Sequence, residues 1–388
     1  MNSCDENQQA RARDRARIEI PNCELESLIQ LQHDNPRSPK RREFLRAGLN
    51  GGLGMATVGL VQTETLAEDI PPRIDLDESY SKEVDDAIRG GLSLLIARQN
   101  PDGSFLSNEG GKNIGVCSLA GLAFLSRGIR PGIGSAGKAL RQLGGYILAN
   151  AQESGFITAM GATSHGPMYE HGFATLFLAE LYGNDAVLNV RPALSSAVEL
   201  LVRSQNSQGG WRYDPRPNEA DLSVTVCQVM ALRAARNAGI GVPRETIDKA
   251  VDYIRRSQNA DGGFMYQLTG GASRFPLTAA AVVALYNAGI YEGEEVDDAI
   301  AYLESNLNLN SSLERNSFFY YAHYYSAQAF WHRGGAAWVR WYTRLKKMIV
   351  PLRTTQGGWF DYNSLEYGTA MACLILNMPR TVLPIFQR

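Results

Sequence analysis

The sequence predicts an all-α protein: an (α/α)6 toroid of six helix pairs with a central cavity, preceded by a disordered N-terminal extension and an export signal. Three observations carry this. A turn signal, Gln-x-x-x-Gly-Gly-aromatic, recurs along the chain. Its copies are spaced near a common period. The segments on its two sides differ in kind, one amphipathic and one apolar all round. A chain that repeats at such a period is an array in which each unit buries its apolar face against the next.

The extension comes first. Residues 1–37 are polar, of mixed charge and weakly patterned, with too few apolar side chains to offset the entropy of ordering. Lys40-Arg41-Arg42-Glu43-Phe44-Leu45-Arg46 follows, then a Gly-rich, mildly apolar stretch from Ala47 to Val61 and the small-residue stretch Thr65-Leu66-Ala67. Residues 38–67 look like a twin-arginine signal, which implies an exported, periplasmic protein whose mature part begins near Glu68. A chance basic amphipathic segment is the alternative.

The toroid is assigned to residues 68–388. The turn stands intact at Gln205…Gly209-Gly210-Trp211, and with Phe for Trp at Gln258…Gly262-Gly263-Phe264. Gln99…Gly103-Ser104-Phe105 is a weaker copy, Gln356-Gly357-Gly358-Trp359 a contracted one, and Gln152…Gly155-Phe156 an eroded one. Trp211 and Phe264 are 53 positions apart, Phe105 and Trp211 106, and Phe264 and Trp359 95. Val84-Asp85-Asp86-Ala87-Ile88 returns as Val296-Asp297-Asp298-Ala299-Ile300 after 212 positions. Six units therefore fit between Ile74 and the C-terminus, the fifth having lost its turn between Asn306 and Phe319.

Each unit holds two unlike helices. Before the turn, Ile247, Val251 and Ile254 share one face while Asp248, Lys249, Asp252, Arg255 and Arg256 fill the other. After it, Leu277 to Leu285 and Val224 to Leu232 are apolar nearly all round and must be buried or face a cavity. The turn glycines supply positive φ and stop the first helix. Outer helices wet on one side and inner helices packed within predict two concentric rings. An open superhelix is the alternative.

Composition bounds the function. A net charge of −2, with both signs mixed along the outer helices, lacks the basic patch of a nucleic-acid binder. No apolar run has the length of a confident membrane span, so the mature protein is not expected to be an integral membrane protein. The five cysteines show neither metal-ligand nor disulfide spacing. Cys4 and Cys23 lie in the extension, while Cys117, Cys227 and Cys373 read as small buried hydrophobes. No metal or cofactor is expected.

Gly209-Gly210-Trp211-Arg212-Tyr213, leading into Ser223-Val224-Thr225 and Gln228 to Leu232, resembles the repeat of squalene cyclases and protein prenyltransferase β-subunits. Met168 to Thr175 and Tyr324 to Phe330 look like a bacterial branch with squalene-cyclase C-terminal-type domains. The resemblance covers Ile74 to about Pro379 and implies a terpenoid cyclase/protein prenyltransferase α/α toroid with a central cavity. Its chemistry transfers poorly. The cyclase acid motif, Asp-x-Asp-Asp-Thr, aligns with Asp221-Leu222-Ser223-Val224-Thr225, so Ser223 and Val224 stand where two acids belong. A hydroxyl cannot protonate an alkene. The zinc triad of the prenyltransferases also lacks its Asp-x-Cys pair here.

Parallel inner helices gather their N-terminal ends at one mouth, where exposed N–H groups favour anions. Glu170 and His171 are candidates for a general base or ligand-orienting pair, or for capping and inter-repeat hydrogen bonds. Asp221 is a candidate acid, or the N-cap of its helix. His323, within Phe318-Phe-Tyr-Tyr-Ala-His-Tyr-Tyr325, is a candidate catalytic group in an aromatic wall. Tyr169, Ser223, Thr278, Tyr320, Tyr324 and Tyr367 are expected to line the cavity. Arg274 is placed to meet an anionic head group, and Glu366 or Glu170 to pair with Asp221 in a carbohydrate-active site; a solvated Arg and a first-turn carboxylate are the plain readings of Arg274 and Glu366. The expected partner is an apolar small molecule or lipid. Three functions stay open: a binding toroid that has lost the acid, an isoprenoid-processing enzyme using other residues, and a carbohydrate-active (α/α)6 enzyme.

Overall fold

The computed structural model describes residues 80–107, 111–159, 166–185, 187–306 and 318–387. The extension, the twin-arginine stretch, Cys4, Cys23 and most of the fifth-unit loop lie outside the described residues. Among the described residues the chain forms twelve α-helices and no named strand. Unit one holds α1 (Lys82–Arg98) and α2 (Ile114–Ser126), and unit two α3 (Gly134–Ala149) and α4 (Pro167–Leu181). Unit three holds α5 (Val190–Ser204) and α6 (Leu222–Asn237), and unit four α7 (Arg244–Arg256) and α8 (Phe275–Ala288). Unit five holds α9 (Glu294–Ser305) and α10 (Phe319–Arg333), and unit six α11 (Gly335–Ile349) and α12 (Leu365–Leu376).

The even-numbered helices form the inner ring. Each packs on the next, from α2 through to α12, and α12 packs back on α2. The array is therefore a closed toroid and not an open superhelix. The expected contrast between the rings holds: on α7 only Thr246, Ala250, Val251, Tyr253 and Ile254 are buried, whereas α8 is buried from Leu277 to Asn287.

Hydrogen bonds explain why the turn recurs. In units one, three and four the Gln side chain donates to the carbonyl of the turn Gly and to a carbonyl near the start of the next outer helix: Gln205 Nε2 reaches Gly209 O and Thr246 O, both at 2.9 Å. Gly209 has φ +96°, and a Cβ there would stand 2.2 Å from the Lys249 carbonyl oxygen. Only glycine meets both demands. The aromatic residue fills the space below, and its indole N–H ties it to the preceding outer helix: Trp211 Nε1 donates to Leu201 O at 2.8 Å and Trp359 Nε1 to Ile349 O at 2.7 Å.

This register corrects two copies. Gly155 and Gly357 share the positive φ of Gly103, Gly209 and Gly262. The backbone of Gln152 donates to Phe156 O, as Asn206 does to Gly210 O, so Gln152 occupies the position after the Gln and Ile157 the aromatic position. Thr354 donates to Gly358 O in the same way. The sixth turn is thus full length, with Arg353 in place of Gln, and the sequence hides this because Gln356 imitates the missing residue.

Candidate functional site

The same register assigns several candidate residues to the scaffold. The backbone N–H at the aromatic position is received by one side chain of the following inner helix: Trp211 N–H by Thr225 Oγ1 at 3.1 Å, Phe264 by Thr278 at 2.9 Å and Trp359 by Thr369 at 3.0 Å. In unit one Phe105 N–H meets Cys117 Sγ at 3.3 Å. In unit two the acceptor is His171: Ile157 N–H donates to its Nδ1 and its Nε2 lies 3.2 Å from Ala197 O. With Nδ1 accepting, the proton sits on Nε2. Burial pushes its pKa down to about 3. His171 thus joins the rings as a neutral imidazole, and its nitrogens do not open onto the mouth. Thr278 likewise belongs to the scaffold and not to a cavity lining.

Glu170 is also committed. Its Oε2 accepts from Ile114 N–H (3.2 Å) at the start of α2 and from Ala159 N–H (3.3 Å), so it caps a neighbouring inner helix. Glu366, in the first turn of α12, pairs with Arg98 Nε of α1 at 2.5 Å and helps close the ring. His323 points between the rings, its imidazole 4.7 Å from the Phe319 ring and 6.2 Å from Trp341 of α11, and burial takes its pKa down to about 3. Arg274 is exposed at the start of α8, 5.8 Å from the Tyr266 ring. The structure therefore does not bring Glu170, His171, His323 and Asp221 together as one catalytic group, nor does it leave Glu170 or Glu366 free to face Asp221 across a glycan.

What it does assemble is a network about Asp221. Asp221 caps α6, its Oδ1 accepting from Val224 N–H at 2.9 Å, and its Oδ2 accepts from Arg212 Nη1 at 2.8 Å. Ser223 donates to Asp221 Oδ1, and Tyr169 Oη lies 2.6 Å from Ser223 Oγ. A hydroxyl has one proton, so with Ser223 donating to the carboxylate, Tyr169 must donate to Ser223. The result is a relay from Tyr169 through Ser223 to Asp221. Arg212 stacks 4.1 Å over the Tyr213 ring and also donates to Tyr266 Oη. Burial raises the Asp221 carboxyl to about 6, with Arg212, Ser223 and Val224 offsetting part of the effect. A raised pKa makes it a weaker acid, the opposite of what an alkene requires.

Aromatic groups face this network from the other side of the ring. Tyr321 and Tyr325 of α10 are fully buried, 5.0 Å apart in an edge-on contact. Burial, with Asp221 and Tyr367 adding to it, holds the Tyr321 phenol well above its ordinary pKa. Burial holds the Tyr325 phenol up in the same way, with Tyr321, Cys227, Tyr324 and lastly Tyr169 of the opposite inner helix α4 adding to it. Tyr320 and Tyr367, in the first turns of α10 and α12, are buried beside Asp361, whose carboxyl burial also raises to about 6. Sequence reading missed Asp361; its only trace is its position two residues past Trp359.

The far end of the ring is crossed by the C-terminal segment. Val382 N–H donates to Ser126 O of α2 at 3.1 Å, Trp331 Nε1 of α10 donates to Phe386 O at 3.1 Å, and residues 384–386 touch α6. Tyr324 packs 6.1 Å from the Phe386 ring of this segment and 5.6 Å from the Tyr325 ring. Three alternate inner helices, α2, α6 and α10, share the tail.

The squalene-hopene cyclase C-terminal domain family matches residues 174–323, from α4 into α10, which takes in Arg212, Asp221 and Ser223 but not Tyr169. This is a squalene-cyclase-like toroid. A drimenyl diphosphate synthase of Streptantibioticus cattleyicolor is 32% identical over 125 residues, which is 32% of this chain but only 23% of that relative. Among solved structures, a variant of the type II terpene cyclase MstE from Scytonema bound to geranylgeranyl dihydroxybenzoate aligns with TM-score 0.52 at 12% identity, over 76% of this chain and 96% of that one. A GH76 α-mannanase of Bacteroides thetaiotaomicron aligns with TM-score 0.55, also at 12% identity, 76% and 96% being covered. At such identities the likeness concerns the fold, which hosts both kinds of protein. Within the squalene-cyclase-like toroid the site itself must carry any argument about function.

Proposed function

We propose that the ring binds an apolar, isoprenoid or lipid-like molecule at its N-terminal mouth and lacks the alkene-protonating acid of a cyclase. One observation carries the reading. Tyr321 and Tyr325 are buried with hydroxyls that have no partner, on the inner helix that stands opposite that of Tyr169 in the ring. An unpartnered buried hydroxyl costs about 1–3 kcal/mol, so an aromatic wall that keeps two of them is shaped for a guest that satisfies them. The aromatic faces suit an apolar chain. Native mass spectrometry of the protein taken from its own host is expected to show a co-purifying isoprenoid or lipid. If none is carried, and none binds in vitro, the reading is lost.

An isoprenoid-processing enzyme is the second reading, favoured by the Tyr169–Ser223–Asp221 relay, which ends in a titratable group. Turnover of an isoprenoid substrate that disappears in Asp221→Asn would support it over simple binding.

We also propose export by the twin-arginine stretch, supported by Arg41-Arg42-Glu43-Phe44-Leu45 and the apolar segment after it. Among the described residues no helix is long and apolar enough to cross a membrane. Arg41→Lys with Arg42→Lys should retain the protein in the cytoplasm, as followed by fractionation; unchanged export would refute the proposal.

A further inference from the structure

Asp361 lies in the loop between the sixth turn and α12. Gly368 lets this loop press against the helix: a Cβ there would stand 2.4 Å from the Trp359 carbonyl oxygen and 3.0 Å from the Asp361 nitrogen. The loop alternates, with Phe360 and Tyr362 turned outward and Asp361 turned in, 3% exposed. Asn363 donates to Asp361 through both its backbone and its side chain, and both bonds go to Oδ1. Oδ2 is left to accept. Asp361 is the charge that acts on both Tyr320 and Tyr367. Those phenols are 0% and 2% exposed, and neither hydroxyl has a partner. Asp361 packs on Gly368, next to Tyr367, and Tyr320 and Tyr367 stand in the first turns of the neighbouring inner helices α10 and α12, so a carboxylate oxygen without a donor lies at the same end of the ring as two donors that have no acceptor.

We infer that Asp361, Tyr320 and Tyr367 form a subsite for a neutral hydroxyl group, so that the ring takes an isoprenoid-type alcohol and not a diphosphate. This rests on the reading of the ring as an isoprenoid or lipid site. The inventory matches: an alcohol has one O–H to give to Oδ2 and two lone pairs to receive the phenols. A diphosphate offers only acceptors, and it would bring several negative charges beside Asp361 and Asp221. Arg212 is already engaged by Asp221, and Arg98 by Glu366, the residue next to Tyr367. Burying like charges together without compensation is strongly unfavourable.

The test uses the purified full chain and three probes of one chain length: farnesol, farnesyl diphosphate and the saturated hydrocarbon farnesane. Affinities are measured for the wild type, Asp361→Asn and the double variant Tyr320→Phe, Tyr367→Phe. The wild type should bind the alcohol most tightly. Either variant should weaken the alcohol by at least ~10-fold and change the hydrocarbon by less than about twofold. A ligand-free measurement stands beside this. Removing two unpartnered buried hydroxyls should leave the melting temperature unchanged or raised. A marked fall would mean that the hydroxyls are satisfied within the protein, and the subsite would be refuted. It would also be refuted, with the ring reading intact, if the alcohol bound no better than the hydrocarbon, if the diphosphate bound best, or if the variants held the alcohol like the wild type. If no probe binds the wild type, both the ring reading and the subsite fall.

Discussion

Arg127→Ala should destabilise the protein by about 3–5 kcal/mol, seen as a lowered urea midpoint, because it strands a buried carboxylate. Arg127 follows α2 with its side chain fully buried. Its Nη2 donates to Asp85 Oδ1 and its Nη1 to Tyr80 Oη at 2.7 Å, while Tyr80 donates to Asp85 at 3.2 Å. The triad fastens the first outer helix to the end of the first inner helix, beside the junction where the toroid closes. Replacing both charges, as in Asp85→Leu with Arg127→Met, should recover much of the loss, since the stranded charge and not the missing attraction sets the cost. A single variant within about 1 kcal/mol of the wild type would contradict the buried pairing.

Acid should leave stability nearly level from about pH 6 to pH 4 and then reduce it steeply. The sign follows from four buried groups. His171 and His323 are pushed down to about 3 from an ordinary 6.5, so below pH 6.5 the unfolded chain takes up two protons that the folded chain refuses. Each group then removes about 1.4 kcal/mol per pH unit as the pH falls. Asp221 and Asp361 act oppositely. Raised by burial from 3.8 to about 6, they take up protons in the folded state first, so between pH 6 and 4 they offset the histidines. Below pH 4 that compensation is spent while the histidines still refuse protons. Asp102 adds to the loss: burial pushes its carboxyl up, but Lys112 and Ser104 outweigh it and hold the group at about 2. Urea midpoints across pH 2.5 to 7.5 test this. Asp221→Asn with Asp361→Asn should lose stability from pH 6.5 downward. His171→Thr, which installs the acceptor used in units three, four and six, should lower the slope by one proton. Profiles parallel to the wild type in both variants would refute the assignment.

The architecture was legible because it is periodic. Glycine at a positive φ against the next helix, and an indole tied to the previous one, are constraints that each unit must meet with its own residues, so they recur in the letters of the sequence. His171 shows the limit. The second unit meets a Thr requirement with an imidazole, and a histidine beside Glu170 reads as chemistry until the Ile157 N–H is seen to end on its ring. Asp361 fails in the other direction, since a loop aspartate is ordinary until burial and two unsatisfied phenols surround it.

By itself the sequence determined that this is an all-α array of repeated, unlike helix pairs, and it aligned Ser223 and Val224 with the acids of the cyclase motif. Only the tertiary structure decided that the ring closes through α12 and α2, that its tail spans the far end, and that the titratable groups divide between scaffold and mouth. The division follows from how the constraints act. Helix period and turn geometry are local and are written in each unit. The partner of a side chain is chosen across the ring, between residues whose separation along the chain carries no signal.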